Sequence, residues 1–163
     1  MSRTKHFKGF TIVDGGMKVN LNMSRFSRQY QEAQYLLDGM VMDSMVPFMP
    51  MITANFINRT RAESTSLQGS GKVCAAAAPY GRFLYEGKTM VDESTGSPYA
   101  RRGTRKVLVS QYSGQTNAKE NLEYTKQAHP RAQAKWFDAA KRQYGNTWIR
   151  KVKAQAGGGR HGR

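Results

Sequence analysis

Apolar and polar positions alternate in two short runs near the start of the chain. Residues 10–13 (FTIV) and 17–22 (MKVNLN) flank Asp14, Gly15 and Gly16. An Asp-Gly pair between two strand-like runs is typical of a hairpin, because glycine accepts the positive φ of the turn. The pattern predicts a β-hairpin within residues 7–22.

The period then changes to three or four residues, which indicates an amphipathic helix over residues 24–46. Ser24 precedes it as a candidate N-cap, and Pro47 and Pro50 follow it as terminators. The repeating positions are Phe26, Tyr30, Ala33, Leu37, Met40, Val41, Ser44 and Met45.

The end of this helix is rich in methionine, at positions 40, 42, 45, 49 and 51. Methionine is flexible and adapts to irregular partners, so these side chains favour either a docking surface or gap filling in a small core. The sequence leaves both interpretations open.

Residues 51–71 show no sustained period and are rich in Thr, Ser, Asn and Gly, which predicts a surface loop. Residues 72–78 (KVCAAAA) follow Gly69 and Gly71 and run into Pro79. Although alanine favours helices, this context predicts a short strand against which a helix packs closely. Tyr80, Phe83 and Tyr85 would then fold over the sheet edge before Gly87.

Those three aromatics favour a role in the core and in subunit contacts. A nucleic-acid stacking platform is the alternative, but their spacing lacks the alternation of such platforms.

Residues 88–105 carry Gly, Ser, Pro and charge without a period, which predicts a long projecting loop. The loop has few apolar residues, so we expect it to be disordered in the isolated chain and to become ordered on neighbouring subunits. Residues 106–112 (KVLVSQY) alternate as a strand that would pair with residues 72–78.

The last predicted element is a basic amphipathic helix over residues 131–155, which begins after Pro130. Gly145 and Asn146 predict a kink or a division into two segments. The apolar stripe comprises Phe137, Ala140, Tyr144, Trp148 and Val152, widened by Trp136 and Ile149.

Together these elements predict an α+β fold: a small antiparallel sheet from residues 17–22, 72–78 and 106–112, packed against the two long helices, with long projecting loops. At 163 residues the chain has the size of one domain. We expect that domain to span residues 1–156 and a flexible Gly/Arg tail to span residues 157–163.

The net charge of +15 indicates an acidic partner, most often nucleic acid. From Lys126 onward there are ten Lys or Arg residues and one acid, Asp138. A solvated helix face is the alternative explanation of this run. The candidate DNA-facing residues are Lys141, Arg142, Arg150, Lys151 and Lys153.

The sequence offers no catalytic constellation, so we expect no enzyme and no cofactor. One cysteine, Cys74, and three scattered histidines do not form a metal cluster, and no glycine-rich phosphate loop is present. The chain has no run of eighteen apolar residues and no apolar stretch near its start, so we expect no membrane contact and a cytoplasmic site of action.

The order of these segments resembles the minor capsid proteins of tailed bacteriophages, the head–tail connector and tail-completion family. The resemblance spans most of residues 17–156. Two regions depart from the pattern: Thr53-Ala54 stands where the family has Thr-Gly, and residues 1–16 have no counterpart. The matching residues are Pro79, Tyr80, Phe83, Tyr85 and Gly87, then His129, Trp136, Ala140, Lys141 and Trp148.

This resemblance implies a structural protein of the virion neck, assembled in the host cytoplasm as a homo-oligomeric ring that joins the DNA-filled head to the tail. Its partners would be adjacent neck proteins on the portal or adaptor side and on the tail-terminator side, and the genomic DNA passing through the channel. The rival expectation is a free basic nucleic-acid-binding protein. The candidate ring-interface residues are Met45, Phe48, Met49, Tyr80, Phe83, Tyr85, Tyr99, Arg101 and Arg102.

Overall fold

The computed structural model describes residues 9–14, 16–99 and 101–158. It confirms an α+β fold in which two long helices, α1 (Ser24–Met45) and α4 (Trp136–Lys153), pack together. They run antiparallel, since Trp148 bonds to Ser44 whereas Gln155, further along α4, bonds to Glu32, nearer the start of α1. Two separate two-stranded antiparallel sheets replace the single three-stranded sheet that the sequence predicted.

The predicted N-terminal hairpin is present as strands β1 (Phe10–Asp14) and β2 (Met17–Leu21). Its register pairs Ile12 with Val19 and Phe10 with Leu21. Within the described residues, the hairpin is a sheet by itself and pairs with no other strand. It therefore does not form the edge of a larger sheet.

Helix α1 begins at Ser24, but the predicted capping role of Ser24 is wrong. Ser24 is the first helical residue, and its backbone N–H donates to the Oδ1 atom of Asn22 at 2.9 Å. The predicted end is confirmed, since Pro47 lies in a 3₁₀ turn at Val46–Phe48 where α1 stops.

The predicted loop over residues 51–71 is wrong, because helix α2 (Asn55–Leu67) occupies most of it. The buried stripe of α2 repeats every four residues as Phe56, Thr60 and Ser64. Two of these three positions are polar, so apolar periodicity alone did not reveal the helix.

Residues 72–78 do not form the predicted strand. Side chains bond to their backbone in place of a neighbouring strand: Ser64 Oγ donates to the carbonyl of Cys74 at 2.9 Å, and the Ala77 N–H donates to Thr60 Oγ1 at 3.2 Å. The indole N–H of Trp136 donates to the carbonyl of Ala75 at 2.8 Å. These three bonds take up backbone groups that would otherwise pair with a neighbouring strand.

The aromatic segment continues into a short helix, α3 (Gly81–Glu86), and not over a sheet edge. Gly87 ends α3 in the left-handed conformation, with φ of 69°. A side chain at this position would be strained, which explains the glycine.

Residues 88–105 are more structured than the sequence predicted. Strand β3 (Met90–Asp92) pairs antiparallel with β4 (Lys106–Leu108), so the partner of β4 is residues 90–92 and not 72–78. Val91 and Asp92 are fully buried. A 3₁₀ turn at Val109–Gln111 follows β4, so the strand predicted over residues 106–112 ends at Leu108.

Helix α4 is continuous through Gly145 and Asn146, so it does not divide there into two segments. Residues 131–135 are not helical; their backbone is held to the body by the Gln133 N–H, which donates to the Phe48 carbonyl at 3.0 Å. A π-helical turn, Ala154–Gly158, follows α4 and lies against α1. Residues 157 and 158 of the predicted tail belong to this turn, and residues 159–163 lie outside the described residues.

The core lies between α1, α2 and α4, with Trp136 at its centre. Trp136 is 0% exposed and meets the rings of Tyr85 at 4.9 Å and Phe56 at 5.9 Å, both edge-on. Met45 and Met49 are also 0% exposed. These two methionines therefore fill the core, which decides between the two interpretations for them.

Candidate functional site

The basic residues of α4 form its outer surface. Arg142, Arg150 and Lys153 lie on one side of the helix at spacings of eight and three residues, over roughly 17 Å of its length. Lys141 and Lys151 flank them, and all five side chains are exposed. Among the described residues, none of the five forms an ion pair.

The side of α4 that carries Arg142, Arg150 and Lys153 therefore holds positive charge that forms no ion pair within the described residues. Arg150, Lys151 and Lys153 in the last turn also complement the negative end of the helix dipole, which stabilises α4 by itself. A phosphate backbone or a row of carboxylates could neutralise the remaining charge.

An apolar groove of about 490 Å³ runs between α1 and α4 beside the basic surface. Leu37 and Val41 line it from α1. Gly145 lies in its wall, where the missing side chain deepens it. From α4 the lining is Phe137, Trp148, Ile149 and Val152, and the aliphatic stems of Lys141 and Lys153 border it.

The β1–β2 hairpin carries a second apolar surface. Its register places Phe10, Ile12, Met17 and Val19 on one face, and all four are exposed. By the same register, the positions of Asp14 and Leu21 lie at the two ends of this face. The opposite face holds Thr11 and Asn20, joined by a side-chain hydrogen bond of 2.6 Å, with Val13 and Lys18. We call Phe10, Ile12, Met17 and Val19 the hairpin apolar face.

Asp92 organises the loop that carries Tyr99, Arg101 and Arg102. One of its carboxylate oxygens accepts from the N–H and hydroxyl of Ser94 at 2.8 and 2.6 Å. The other accepts from the Arg101 N–H at 3.1 Å and from the Thr104 hydroxyl at 2.5 Å. These bonds close the loop onto β3 without an apolar core of its own.

The same bonds set the protonation state of Asp92. Hydrogen bonds from Ser94 and then Thr104 to the ionised carboxylate hold the pKa of Asp92 well below its usual range. Burial acts in the opposite direction but is the weaker effect. Asp92 is therefore ionised at neutral pH, and the loop is built on a fixed negative charge.

Three of the loop's predicted interface residues are accessible. Tyr99 is 85% exposed, and Arg101 and Arg102 are exposed beside it. The loop is held by Asp92, so the expectation that it is disordered in the isolated chain is not supported. Its polar hydrogen bonds provide the order that its few apolar residues do not.

The remaining predicted interface residues divide by burial. Met45, Phe48 and Met49 lie in the core, so in this fold they offer no surface to a partner. Tyr85 packs on Trp136 and Phe83 is half-buried. Tyr80 is exposed on one side and contacts the ring of Phe56 on the other.

The described residues contain no cluster of three or more metal-ligating side chains. Across residues 9–14, 16–99 and 101–158, no helix is long and apolar enough to span a membrane. The buried polar side chains in the same ranges all have hydrogen-bond partners.

Two of the surfaces described above were not assigned a function from the sequence. The hairpin apolar face was visible as alternation in residues 10–13 and 17–22, but only its lack of cover in the fold reveals it as a surface. The groove depends on how α1 crosses α4, and no sequence pattern shows that.

No protein-family model, no curated protein and no solved structure matches this chain.

Proposed function

We propose that this chain is a structural protein of a tailed-phage virion, a subunit of the neck ring that joins the DNA-filled head to the tail. The single observation that carries the proposal is the apolar surface left open in the monomer: the hairpin apolar face and the α1–α4 groove. The resemblance of residues 17–156 to phage minor capsid proteins supplies the identity of the assembly.

Apolar surface of this kind is unfavourable in a protein that acts alone. An isolated two-stranded hairpin is marginally stable in water, and contiguous apolar patches usually mark contact sites. A ring subunit buries such surfaces against two neighbours by repetition of one contact. The basic outer surface of α4 then suits DNA in the channel or acidic neighbouring rings.

A phage carrying a stop codon in this reading frame tests the proposal. We expect host lysates to contain filled heads and separate tails, seen by electron microscopy, and complementation with the intact chain to restore joined particles. The chain should also be detected in purified virions. Normal numbers of joined, infectious particles without the chain would refute the proposal.

The second candidate is a free nucleic-acid-binding protein, and the basic outer surface of α4 favours it. It predicts tight duplex binding by the monomer, with an affinity that falls steeply as salt rises. Replacing Arg142, Arg150 and Lys153 with Gln would remove three contacts. The slope of log K against log salt should then fall by about 2–3, measured by fluorescence anisotropy.

A matched control replaces three exposed basic residues outside α4, namely Lys72, Arg82 and Lys126. It removes the same charge, so nonspecific attraction alone would give the same loss for both triple variants. That outcome would count against a DNA-binding role of α4.

A further inference from the structure

We infer that the hairpin apolar face of one copy docks in the α1–α4 groove of a second copy. The contact is heterologous, since the two surfaces lie on different parts of each chain. This contact would join neighbouring subunits of the proposed ring, so the inference rests on the proposed function. A heterologous contact gives a closed ring only when the rotation between neighbouring copies closes.

The two surfaces match in chemistry and in length. The hairpin presents Phe10, Ile12, Met17 and Val19, and the groove is lined by apolar side chains with the stems of Lys141 and Lys153 at its border. A five-residue strand spans roughly 17 Å. From Phe137 to Val152, the wall of α4 spans about 22 Å, which is long enough to accept it.

The hairpin apolar face is also large enough to be a contact patch. Its four side chains are 41–69% exposed, and a large apolar side chain buries on the order of 150–200 Å² when it is covered completely. The face therefore offers roughly 300–400 Å², in the range of the largest apolar patches on monomers, which are often functional.

The chain's own hairpin is poorly placed to fill this groove. It is joined to the start of α1 through Asn22 and Met23, whereas Leu37 and Val41 lie about 20 and 26 Å further along that helix. Between them, the turn Ala154–Gly158 lies against α1, where Gln155 bonds to Glu32 at 3.2 Å. Only the tip of the hairpin could reach the near end of the groove, so a second copy is the better occupant.

Sedimentation velocity on the full chain tests the contact with two single variants. Ile12→Lys places a charge on the hairpin apolar face, and Gly145→Leu fills the groove. A Cβ atom at Gly145 meets only Lys141 Cγ, at 3.8 Å, so the fold accommodates the change. Each variant should weaken self-association at least tenfold while its far-UV circular dichroism matches the parent.

Matched controls place the same side chains on the opposite faces. Val13→Lys lies on the other face of the hairpin, and Asn146→Leu lies on the outer face of α4. Both should associate as the parent does. A mixture of Ile12→Lys with Gly145→Leu should form a dimer and stop there, because each has one intact surface and only one junction can form.

Three outcomes would overturn the inference. A parent chain that stays monomeric at hundreds of micromolar would mean that another protein covers these surfaces. Association that Ile12→Lys abolishes but Gly145→Leu leaves intact would mean that the hairpins pair with each other. An Ile12→Cys, Ile149→Cys variant in a Cys74→Ala background should form covalent oligomers on oxidation; a cross-linked monomer would show that each hairpin fills its own groove.

These results separate the contact from the proposed function. If the parent is monomeric but the stop-codon phage still fails to join heads to tails, the neck function stands and this contact fails. If the chain associates as inferred but joined particles form without it, the function fails and the contact stands.

Discussion

Replacing Trp136 with Phe should lower the free energy of unfolding by about 2–4 kcal/mol. Trp136 is fully buried and meets Tyr85 and Phe56 edge-on. Phenylalanine keeps one ring but leaves a void where the rest of the indole lay. It also removes the N–H that donates to the carbonyl of Ala75 at 2.8 Å.

The magnitude combines two losses. The missing ring atoms and their edge-on contacts account for about 1–2 kcal/mol. The part-buried carbonyl of Ala75 loses its donor, which adds about 1–2 kcal/mol. For a chain of this length, a loss of 3 kcal/mol lowers the melting temperature by roughly 6–12 °C.

Trp148→Phe is the matched control. Trp148 is also buried, but its indole donates at 3.1 Å to the hydroxyl of Ser44, a half-buried residue that can bond to water instead. Trp148→Phe should therefore lower the free energy of unfolding by about 1–2 kcal/mol. Urea unfolding followed by far-UV circular dichroism compares the two without relying on tryptophan fluorescence. Equal losses for the two variants would refute the role assigned to the Ala75 hydrogen bond.

Two further predictions concern the backbone and the charge of the β3–β4 region. Gly87→Ala should cost about 2–4 kcal/mol, because φ is +69° and the new Cβ would lie 2.8 Å from the Cβ of Ala134. Gly103 has a φ of +90° and open space around it, so Gly103→Ala should cost only about 1 kcal/mol. Equal losses of melting temperature in the two variants would show that contact with Ala134 adds no cost at Gly87. The pKa of Asp92 is lower in the folded chain than its ordinary 3.8, so the ionised carboxylate stabilises the fold above pH 3.8. This stabilisation is lost as the pH falls below 3.8 toward the pKa of the folded chain. Acid titration of unfolding should show this loss in the parent and a smaller one in Asp92→Asn; identical profiles would show that the Thr104 and Ser94 bonds do not couple to folding.

The sequence by itself determined the elements whose periodicity is strong and whose ends carry a clear signal. The hairpin followed from alternation around Asp14 and Gly15, and α1 followed from its stripe and Pro47. Helix α4 followed from its apolar stripe, which holds the core residues Trp136 and Trp148. The net charge and its concentration on α4 also followed from the sequence alone.

Only the tertiary structure decided the conformation of segments in which contacts with distant residues override the local preference for helix or strand. Residues 72–78 read as a strand, yet Ser64 and Thr60 on α2 bond to backbone groups that would otherwise pair with a neighbouring strand. The same two polar residues hid α2, because they occupy its buried stripe. The sequence showed Asp92 only as one charge in a loop. Its role at the centre of that loop depends on hydrogen bonds from residues up to twelve positions away, such as Thr104.

The candidate surfaces divide in the same way. Exposure of Tyr99, Arg101, Arg102 and the α4 cations could be expected from polarity, since charged side chains are rarely buried. Met45, Phe48 and Met49 could not be assigned correctly, because an apolar side chain suits a core and an interface equally well. Which apolar residues remain uncovered depends on how the helices and the hairpin pack, and that packing is fixed by contacts between positions far apart in the chain.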